Sequence, residues 1–441
     1  MKLNRKTIAL LVAVLCILAV VQAIPATFAG DSEYKENLSQ ARQYYEEGLY
    51  LLSIESYQKA LAREESLPVE LELTDAYFRA VENGEITHTY NITTYLNGLV
   101  EKYHNNHEIY DAILRFDIDQ EDYQAAADIL EAADKSRVTS DIITEAKQTL
   151  KTKYKSLYSV ITDVKRSAQG TFVVKDADKY YIYDEEFKML FDSGYDYVSV
   201  YINGYALAKK NGKTFLIDSK GVRQAYFDDD ITSSTGFGSE LFACKKNSKF
   251  SYYDMKGNEV FGSYDFAGRF KEGVAAVKTD KGWQVIDTEG KPVSEESFED
   301  IKLGGSDECC SGGVIFAKKS GKYYMYDSSM NKICEDAFDD CDLFMDKNWL
   351  AAVKIDKKWG FVDVTGKTVI EAKYDTAKSF SYGLAAVTSG KECFFIDKND
   401  EKIITGEFKE GSYFNKNGLC LIKSETFWQP IVRYYVEKDA K

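Results

Sequence analysis

The chain has 441 residues, of which 44% are hydrophobic and 29% charged, so it is long enough for two or three globular domains. Its formal net charge of −15 argues against nucleic-acid binding, because a phosphate backbone is held by clustered Lys and Arg, and against electrostatic attraction to anionic lipid. The 4 prolines exclude long polyproline linkers, and the 32 Tyr and 25 Phe favour strands over much of the length.

Residues 1–30 have the layout of an export signal peptide or of an uncleaved membrane anchor. Basic residues within 2–6 precede a run from Ile8 to Ile24 that is apolar apart from one glutamine. The run is long for a signal core and slightly short for a spanning helix, so both interpretations stay open. We therefore expect an exported protein of the cell envelope, membrane-anchored or secreted, whose membrane contact is confined to this segment.

Residues 36–154 form a predicted helical domain. The block LSQARQYYEEGLYLLSIESYQKALAREE (38–65) places small and aromatic residues where two antiparallel helices would pack small against large. These residues are Ala41, Tyr44, Tyr57 and Ala60, and the second-helix spacing recurs at Ala126, Leu130 and Ala133. The offsets resemble the tetratricopeptide repeat, a helix pair of about 34 residues, although the family's early Trp and late Pro are missing. The resemblance implies two or three helix hairpins and a closing helix that ends near Tyr154.

All three histidines, His88, His104 and His107, fall in this helical domain. His104 and His107 could share one helix face, but the sequence HNNH is typical of a turn between helices. No acidic or cysteine partner has a metal-ligand spacing. We interpret the histidines as solvated loop residues, and we predict neither a metal nor a cofactor.

The seven cysteines beyond residue 240 are odd in number and lack the C-x-x-C spacing, which argues against a zinc site. A disulfide such as Cys334–Cys341 is one alternative in an exported protein. Our main interpretation is that the cysteines are small hydrophobic residues that fill repeat positions.

Residues 158–438 repeat the form Lys-x-x-hydrophobic-hydrophobic-Asp with a period of about 35 to 36 residues. The aspartates that end the form are Asp184, Asp218, Asp254, Asp287, Asp327, Asp363 and Asp397. A second apolar stretch precedes each copy across a short polar turn, which is hairpin chemistry, and an aromatic residue follows each aspartate. The pattern therefore predicts that each unit has about three strands and one aromatic anchor.

We interpret the repeated aspartates as turn residues rather than as catalytic or calcium-binding residues. An Asp at the first turn position accepts a backbone N–H two residues on, and a glycine one residue further supplies the positive φ that closes the turn. These glycines are Gly221, Gly257, Gly290 and Gly366. The slot four residues before the Asp holds Trp283 and Trp359 in two units and Tyr, Phe, Thr or Cys in the others, which is typical of a packing position.

The stretch KWGFVDVTGKTVIEAKYDTAKSFSYGLAAV (358–387) combines a Trp359–Gly360 pair with the Asp363-x-x-Gly366 turn. It resembles the bacterial WG repeat family, and the resemblance extends over about residues 158 to 436. The resemblance implies a β-rich repeat array, of a kind often found in exported or surface proteins. It implies no catalytic residues.

The expected architecture is multidomain, with helical hairpins followed by an all-β repeat domain closed into a propeller-like ring of seven or eight units. Units of this size must shield one another's apolar faces, and a ring leaves no free strand edges. An open β-solenoid is the alternative. Residues 419–438 are predicted to form a partial eighth unit with a hairpin and no third strand. Residues 156–170 are predicted to form a strand-like segment that precedes the first unit.

These features predict a non-enzymatic binding or scaffold protein that presents repeat surfaces to an unknown protein of the cell envelope. A glycan- or cell-wall-binding module is a second hypothesis. It rests on surplus aromatics, namely Tyr180, Tyr181, Tyr201 and Tyr205. A hydrolase or a calcium-dependent protein is a third, based on the acidic clusters at 228–230 and 339–342. No nucleophile elbow, phosphate loop or metal signature is present in the sequence.

Overall fold

The structure, a computed structural model, describes residues 32–87, 90–157, 161–166, 170–191, 194–346 and 348–436. The chain forms two compact units that divide between Leu150 and Lys151, the first helical and the second all-β. The predicted signal or anchor at 1–30 and His88 lie outside the described residues. Within the described ranges, no helix is long and apolar enough to cross a membrane.

Helical hairpins make up the first unit, as predicted. Its helices are α1 (32–46), α2 (Tyr50–Leu61), α3 (Leu67–Glu82), α4 (Tyr90–Lys102), α5 (His107–Asp119), α6 (Tyr123–Ser136) and α7 (Asp141–Lys151). The small-against-large packing is present, since Ala41 and Ala60 are fully buried and Tyr57 is nearly so. The second set of packing residues, Ala126, Leu130 and Ala133, is also fully buried.

The HNNH stretch forms the turn between α4 and α5, with one difference from the expectation. The side chain of Asn106 accepts the Glu108 N–H at 2.8 Å and so caps α5, which makes His107 the first helical residue rather than a loop residue. His107 is exposed, and its Nδ1 lies 2.9 Å from Asp111 Oδ2, which raises the pKa of the imidazole.

The second unit is an eight-bladed β-propeller in the part of the chain that the structure describes. Its first strand is β1 (Tyr154–Ser156), and blade 1 follows with β2 (Asp163–Arg166), β3 (Phe172–Asp176) and β4 (Lys179–Tyr183). Blade 2 contains β5 (Tyr197–Val198), β6 (Ala206–Lys210), β7 (Lys213–Ile217) and β8 (Arg223–Tyr226); blade 3 contains β9 (Ser233–Gly238), β10 (Leu241–Lys246), β11 (Lys249–Asp254) and β12 (Glu259–Tyr264); and blade 4 contains β13 (Phe266–Ala267), β14 (Val274–Thr279) and β15 (Gly282–Asp287). Blade 5 contains β16 (Asp300–Ile301), β17 (Cys310–Ser311), β18 (Val314–Lys319) and β19 (Lys322–Tyr326), and blade 6 contains β20 (Asp340–Cys341), β21 (Ala351–Ile355), β22 (Lys358–Val362) and β23 (Thr368–Tyr374). Blade 7 contains β24 (Thr376–Ala377), β25 (Ala385–Ser389), β26 (Glu392–Ile396) and β27 (Lys402–Thr405), and blade 8 contains β28 (Glu410–Gly411), β29 (Leu419–Lys423) and β30 (Trp428–Arg433). The ring is thus confirmed over the solenoid alternative.

Each blade follows one antiparallel plan of four positions, which we call A, B, C and D from the centre outwards. B and C are the predicted hairpin, D follows the repeated aspartate, and A is a short strand before B. In blades 1, 4 and 5 the D position is held by single bridges, as between Trp283 and Phe298. The prediction of about three strands per unit missed strand A, because in six of the eight blades strand A has only two residues, too few to show alternation in the sequence.

The ring closes by joining the two ends of the unit. β1 supplies strand D of blade 8, pairing antiparallel with β30 from Tyr154 opposite Arg433 to Ser156 opposite Ile431. The predicted partial eighth unit therefore has its outer strand, taken from the start of the ring. This pairing is also why the helix expected to end near Tyr154 stops at Lys151.

The core lies between successive blades. One cluster combines Phe316 and Phe338 of blade 5 with Val353 and Val362 of blade 6, all of them at most 1% exposed. Neighbouring units thus shield one another's apolar faces, which follows from the size of the repeat.

Candidate functional site at the mouth of the propeller

The connectors between strands A and B lie at the same end of the ring as the turns between C and D, because B and C run in opposite directions. We call the centre of this end the mouth. Lys398, in the C–D turn of blade 7, illustrates the arrangement: its Nζ donates to the carbonyl of Asn348, in the A–B connector of blade 6, at 3.3 Å.

The repeated aspartates share one hydrogen-bond pattern. In Asp363, Oδ1 accepts the N–H of Thr365 at 2.9 Å and the N–H of Lys367 at 3.1 Å. The same bonds, to the residues two and four positions on, are made by Asp184, Asp218, Asp254, Asp287, Asp327 and Asp397. None of the seven aspartates lines either of the two cavities at the mouth. Their hydrogen bonds instead hold the turns at its rim in place.

The third residue after the aspartate has a positive φ in every copy. The predicted glycines, Gly221, Gly257, Gly290 and Gly366, have φ between 71° and 87°. In the three copies without glycine, Phe187, Met330 and Asp400 adopt φ of 64°, 61° and 69°. The left-handed conformation is thus a property of the turn, and a side chain is tolerated there at some cost in strain.

The tryptophan slot lies at the opposite end of strand C, away from the mouth. Trp283 and Trp359 are half-buried, and each ring faces a lysine on the neighbouring B strand. The Nζ atoms of Lys278 and Lys354 lie 5.7 Å and 5.9 Å from the two ring centroids. In blade 7 the slot holds Cys393 instead of an aromatic residue, and its cross-strand partner is Thr388 instead of Lys, so the cation and the ring are lost together.

Two neighbouring cavities occupy the mouth. The first, of about 370 Å³, is lined by A–B connectors from blades 1, 4, 5, 6, 7 and 8, which shows that these connectors converge on the axis of the ring. The second, of about 360 Å³, is lined by connectors of blades 2, 3, 4 and 6. Lys271 and Met345 line both, so the cavities adjoin. Their volumes lie in the range of small-ligand sites, roughly 300 to 1,000 Å³.

The tips of the connectors combine a constant backbone with varied side chains. Asn203, Glu272 and Tyr382 adopt φ of 52°, 56° and 49°, and each precedes a glycine that also has a positive φ. Two successive positive φ values are typical of a tight hairpin turn. The same turn therefore presents an amide, a carboxylate and a phenol to the mouth.

An aromatic floor supports these connectors, and it escaped the sequence reasoning. Phe270, Phe344, Phe380 and Phe414 are at most 1% exposed. Phe270 and Phe380 stand four residues before the B-strand stretches that begin at Val274 and Leu384, so counting backwards from strand B would have found them. The predicted aromatic anchors are different residues, which follow the repeated aspartates.

The three aspartates of the acidic cluster at 339–342 bind different partners. Asp339 pairs with Lys322, and Asp340 lies 2.8 Å from Lys302. Asp342 Oδ2 accepts the Ser379 N–H at 2.8 Å and the Tyr413 hydroxyl at 2.6 Å, which joins the connectors of blades 6, 7 and 8.

The cluster at 228–230 is likewise paired, since Asp228 contacts Lys246 and Asp229 lies 2.5 Å from Lys213. These side-chain contacts lower the pKa of both carboxyls. Over the described ranges, no group of three or more His, Cys, Asp or Glu side chains is placed to hold a metal ion.

The tyrosines predicted as sugar platforms do not cluster at the mouth. Tyr201 is buried, and Tyr180, Tyr181 and Tyr205 are half-buried against neighbouring strands. Tyr382, which the sequence analysis did not single out, is 39% exposed, and its ring centroid lies 5.7 Å from that of Trp349.

The seven cysteines of the propeller are free thiols, and all but Cys334 are buried. The predicted alternative Cys334–Cys341 bond is absent. Burial raises the pKa of the Cys244 and Cys309 thiols to about 12, which suits their interpretation as small packing residues.

The sequence profile of the WG containing repeat matches residues 182–213, 250–283 and 359–393. The propeller contains WG repeats. The matches fall on blades 1 to 2, 3 to 4 and 6 to 7 and include the turns of Asp184, Asp254 and Asp363. A β-propeller with WG repeats suggests a binding or scaffold protein.

Solved structures similar to this WG-repeat chain include a eukaryotic initiation factor, with a TM-score of 0.42 at 10% identity, covering 58% of this chain and 78% of that one. Hsv2 of Kluyveromyces lactis gives a TM-score of 0.36 at 10% identity, covering 61% and 97%. The Pan2 WD40 domain of Neurospora crassa gives 0.33 at 8% identity, covering 64% and 91%. No curated protein matches the chain significantly.

Proposed function

We propose that this protein is a non-enzymatic scaffold of the cell envelope, exported or membrane-anchored through residues 1–30, that binds a partner protein at the mouth of its propeller. The observation that carries the proposal is the set of A–B connector tips, which share one backbone turn and differ in side chain around a central cavity. A rigid ring with interchangeable tips supports recognition, because the tips can vary without cost to the blades.

Trp349 and Tyr382 form the aromatic centre of this surface. Trp349 is 9% exposed and lies under Lys398, whose Nζ is 5.1 Å from the ring centroid, while Tyr382 projects further. Aromatic residues in a well-packed, partly desolvated setting supply much of the binding energy of protein interfaces. We expect Tyr382 to be the principal contact and Trp349 to fix its position.

The proposal is tested by site-specific cross-linking in cells that express the full chain. A photo-reactive residue at position 382 is expected to yield a defined adduct with one envelope polypeptide. The matched control is position 280, which is exposed in the B–C turn of blade 4 at the opposite end of the ring. An adduct that forms equally from both positions, or from neither, contradicts a partner at the mouth.

The envelope location has its own test. A fusion of residues 1–31 to a reporter enzyme that is active only after export is expected to be active. Replacing Lys2, Arg5 and Lys6 by Glu is expected to reduce that activity, because the basic start directs export. A fusion protein that is made but stays inactive in the cytosolic fraction contradicts the proposed location.

A glycan ligand is the second candidate, favoured by an amide side chain beside the same aromatics. The exposed Asn348 lines the first cavity together with Trp349 and Tyr382, and rings flanked by an amide suit the apolar face and hydroxyls of a sugar. Sedimentation of the full chain with purified cell-wall polysaccharide, lost in Tyr382→Ala, would favour the glycan. Sedimentation that is unchanged in that variant would exclude this site.

A further inference from the structure

Arg269 is a buried cation in the wall of the second cavity. It stands in the A–B connector of blade 4, immediately before the floor residue Phe270, and its side chain is 6% exposed. The residues in the same slot of the other connectors are Val200, Gly236, Leu343, Ser379 and Tyr413. Among these described connectors the charge is therefore peculiar to blade 4, and the repeat itself does not require it.

The charge of Arg269 is incompletely compensated. Glu308 Oε1 approaches its Nη2 at 3.6 Å, which is an ion-pair distance without a hydrogen bond. Nη1 donates to the Phe270 carbonyl at 3.3 Å, and Nε is buried without a hydrogen-bond partner. An arginine stays charged in proteins, and a buried donor left unpaired is destabilising, so an acceptor brought to this guanidinium would recover part of that loss.

The carboxylates near Arg269 are occupied elsewhere. Glu308 Oε2 accepts the Ser306 N–H at 3.0 Å. Glu272 accepts the N–H groups of Gly312 and Gly313 at 3.0 Å and 2.8 Å. Neither carboxylate is thus free to turn onto the guanidinium without giving up bonds of its own.

The lining of the second cavity carries two cations, Arg269 and Lys271, and one anion, Glu272, in a chain whose net charge is −15. The lining alone balances one added negative charge, and Glu308, at ion-pair distance from Arg269, leaves no positive charge for a second. A phosphate dianion would place excess negative charge beside Glu272 and Glu308, which is unfavourable in a partly enclosed site.

We infer that the second cavity binds a carboxylate group of the ligand, held by the guanidinium of Arg269. The planar guanidinium offers paired N–H donors that match the two oxygens of a carboxylate, and Lys271 adds a second positive charge on the same connector. The inference deepens the proposed function, because it specifies the chemistry that a ligand at the mouth must carry.

Calorimetric titration of the full-length chain at constant ionic strength tests the inference, with acetate, succinate and inorganic phosphate as probes. Saturable binding of one carboxylate per chain is expected, and binding of phosphate alone overturns the inference. Because Arg269→Gln on its own leaves Glu308 buried and unpaired, the test variant is Arg269→Gln/Glu308→Gln. It is expected to bind the carboxylate about 10- to 100-fold more weakly, the loss that accompanies removal of a charged hydrogen bond.

Two further variants separate binding from damage to the fold. Glu308→Gln removes the competing carboxylate and keeps Arg269, so it is expected to tighten binding about tenfold, which damage to the fold would not do. Arg433, the other buried arginine of the described residues, lines neither cavity, so Arg433→Gln is the matched control and is expected to leave the affinity unchanged. No saturable binding, or equal binding in the double variant, overturns the inference.

The source of the carboxylate is identified by a hexapeptide with a free C-terminus, compared with the same peptide amidated. Tenfold tighter binding of the free form than of acetate, with no binding of the amide, assigns a polypeptide terminus. Equal binding of the free peptide and acetate assigns a small acid, and tight binding of the amide overturns the inference. A specific adduct at position 382 without carboxylate binding would leave the proposed function standing while this inference fails.

Discussion

The main-chain N–H of Leu157 donates to the carbonyl of Pro430 at 2.9 Å, so the first strand of the propeller is hydrogen-bonded to its last hairpin. The two residues continue the register in which Tyr154 faces Arg433. This seam is what makes the array a closed ring, since without β1 the strand β30 would be a free edge.

Leu157→Pro is expected to destabilise the propeller, because proline removes the donor of this bond. The matched variant Leu157→Ala keeps the N–H and loses only the side-chain packing. Equilibrium denaturation should place the Pro variant at least about 2 kcal/mol below the Ala variant. Equal stability of the two would show that the backbone bond contributes little to closure.

Gly360, the glycine of the WG pair, is expected to matter more than its tryptophan. A Cβ on Gly360 would lie 2.6 Å from the Ile370 carbonyl oxygen and 2.7 Å from the Ala372 nitrogen, at a bulge between β22 and β23. Gly360→Ala should therefore cost about 2 to 3 kcal/mol, whereas Trp359→Tyr should cost less than about 1 kcal/mol. Gly305→Ala, where a Cβ meets nothing within 4 Å, is the control, and thermal unfolding is the measurement.

The turn aspartates should make the propeller sensitive to acid. The side chain of Asn331 and two backbone N–H groups hold the pKa of Asp327 below its usual value. The stabilisation is therefore present above the unfolded pKa of about 4 and is lost as the pH falls through the lower folded pKa.

Asp327→Asn keeps an acceptor for the turn and no longer titrates. Its melting temperature should therefore fall less than that of the parent chain between pH 5 and pH 2, a range of about three units around the unfolded pKa. Asp327→Ala should lose about 1 kcal/mol at neutral pH, because the turn N–H groups lose their acceptor. The exposed Asp336→Asn serves as the control. Identical pH profiles for Asp327→Asn and the parent chain would contradict this role.

Asp117, on α5, should make the helical unit less stable as the pH rises. Burial, together with Asp122 and Asp128, raises the pKa of its carboxyl to about 7, and its Oδ2 has no hydrogen-bond partner. The unfolded chain ionises from about pH 4, so the folded state loses stability between about pH 4 and pH 7 and stays lowest above that.

Asp117→Asn is expected to raise the free energy of unfolding at pH 8 by about 2 to 4 kcal/mol and to have little effect at pH 4, since only the charged form is penalised. Urea denaturation followed by the helical circular dichroism signal measures both. Asp119→Asn, an exposed residue on the same helix, is the control. A gain of equal size at both pH values would point to packing rather than to charge.

The sequence was most informative where one local requirement recurs in every unit. The seven aspartates could be found because each satisfies the same turn, and the period followed from their spacing. The burial of Ala41 and Ala60 in the helical unit was equally predictable, since close helix packing demands small residues at that spacing.

Features that depend on distant parts of the chain could not be predicted. The pairing of β1 with β30 joins segments with no shared pattern, and the two residues that strand A has in most blades are too few to show alternation. In the sequence, nothing distinguishes Arg269 from an ordinary surface charge. Its burial appears only when the connectors of blades 4 and 5 meet, where the Arg269 N–H donates to the Asp307 carbonyl at 3.1 Å.

The seam also dictates an order of events during synthesis. Strand β1 emerges from the ribosome long before its partner, because Trp428 follows Ser156 by about 270 residues, a delay of roughly 15 to 50 seconds at typical elongation rates. Until translation is nearly complete, the nascent ring keeps an unmatched strand at its leading end.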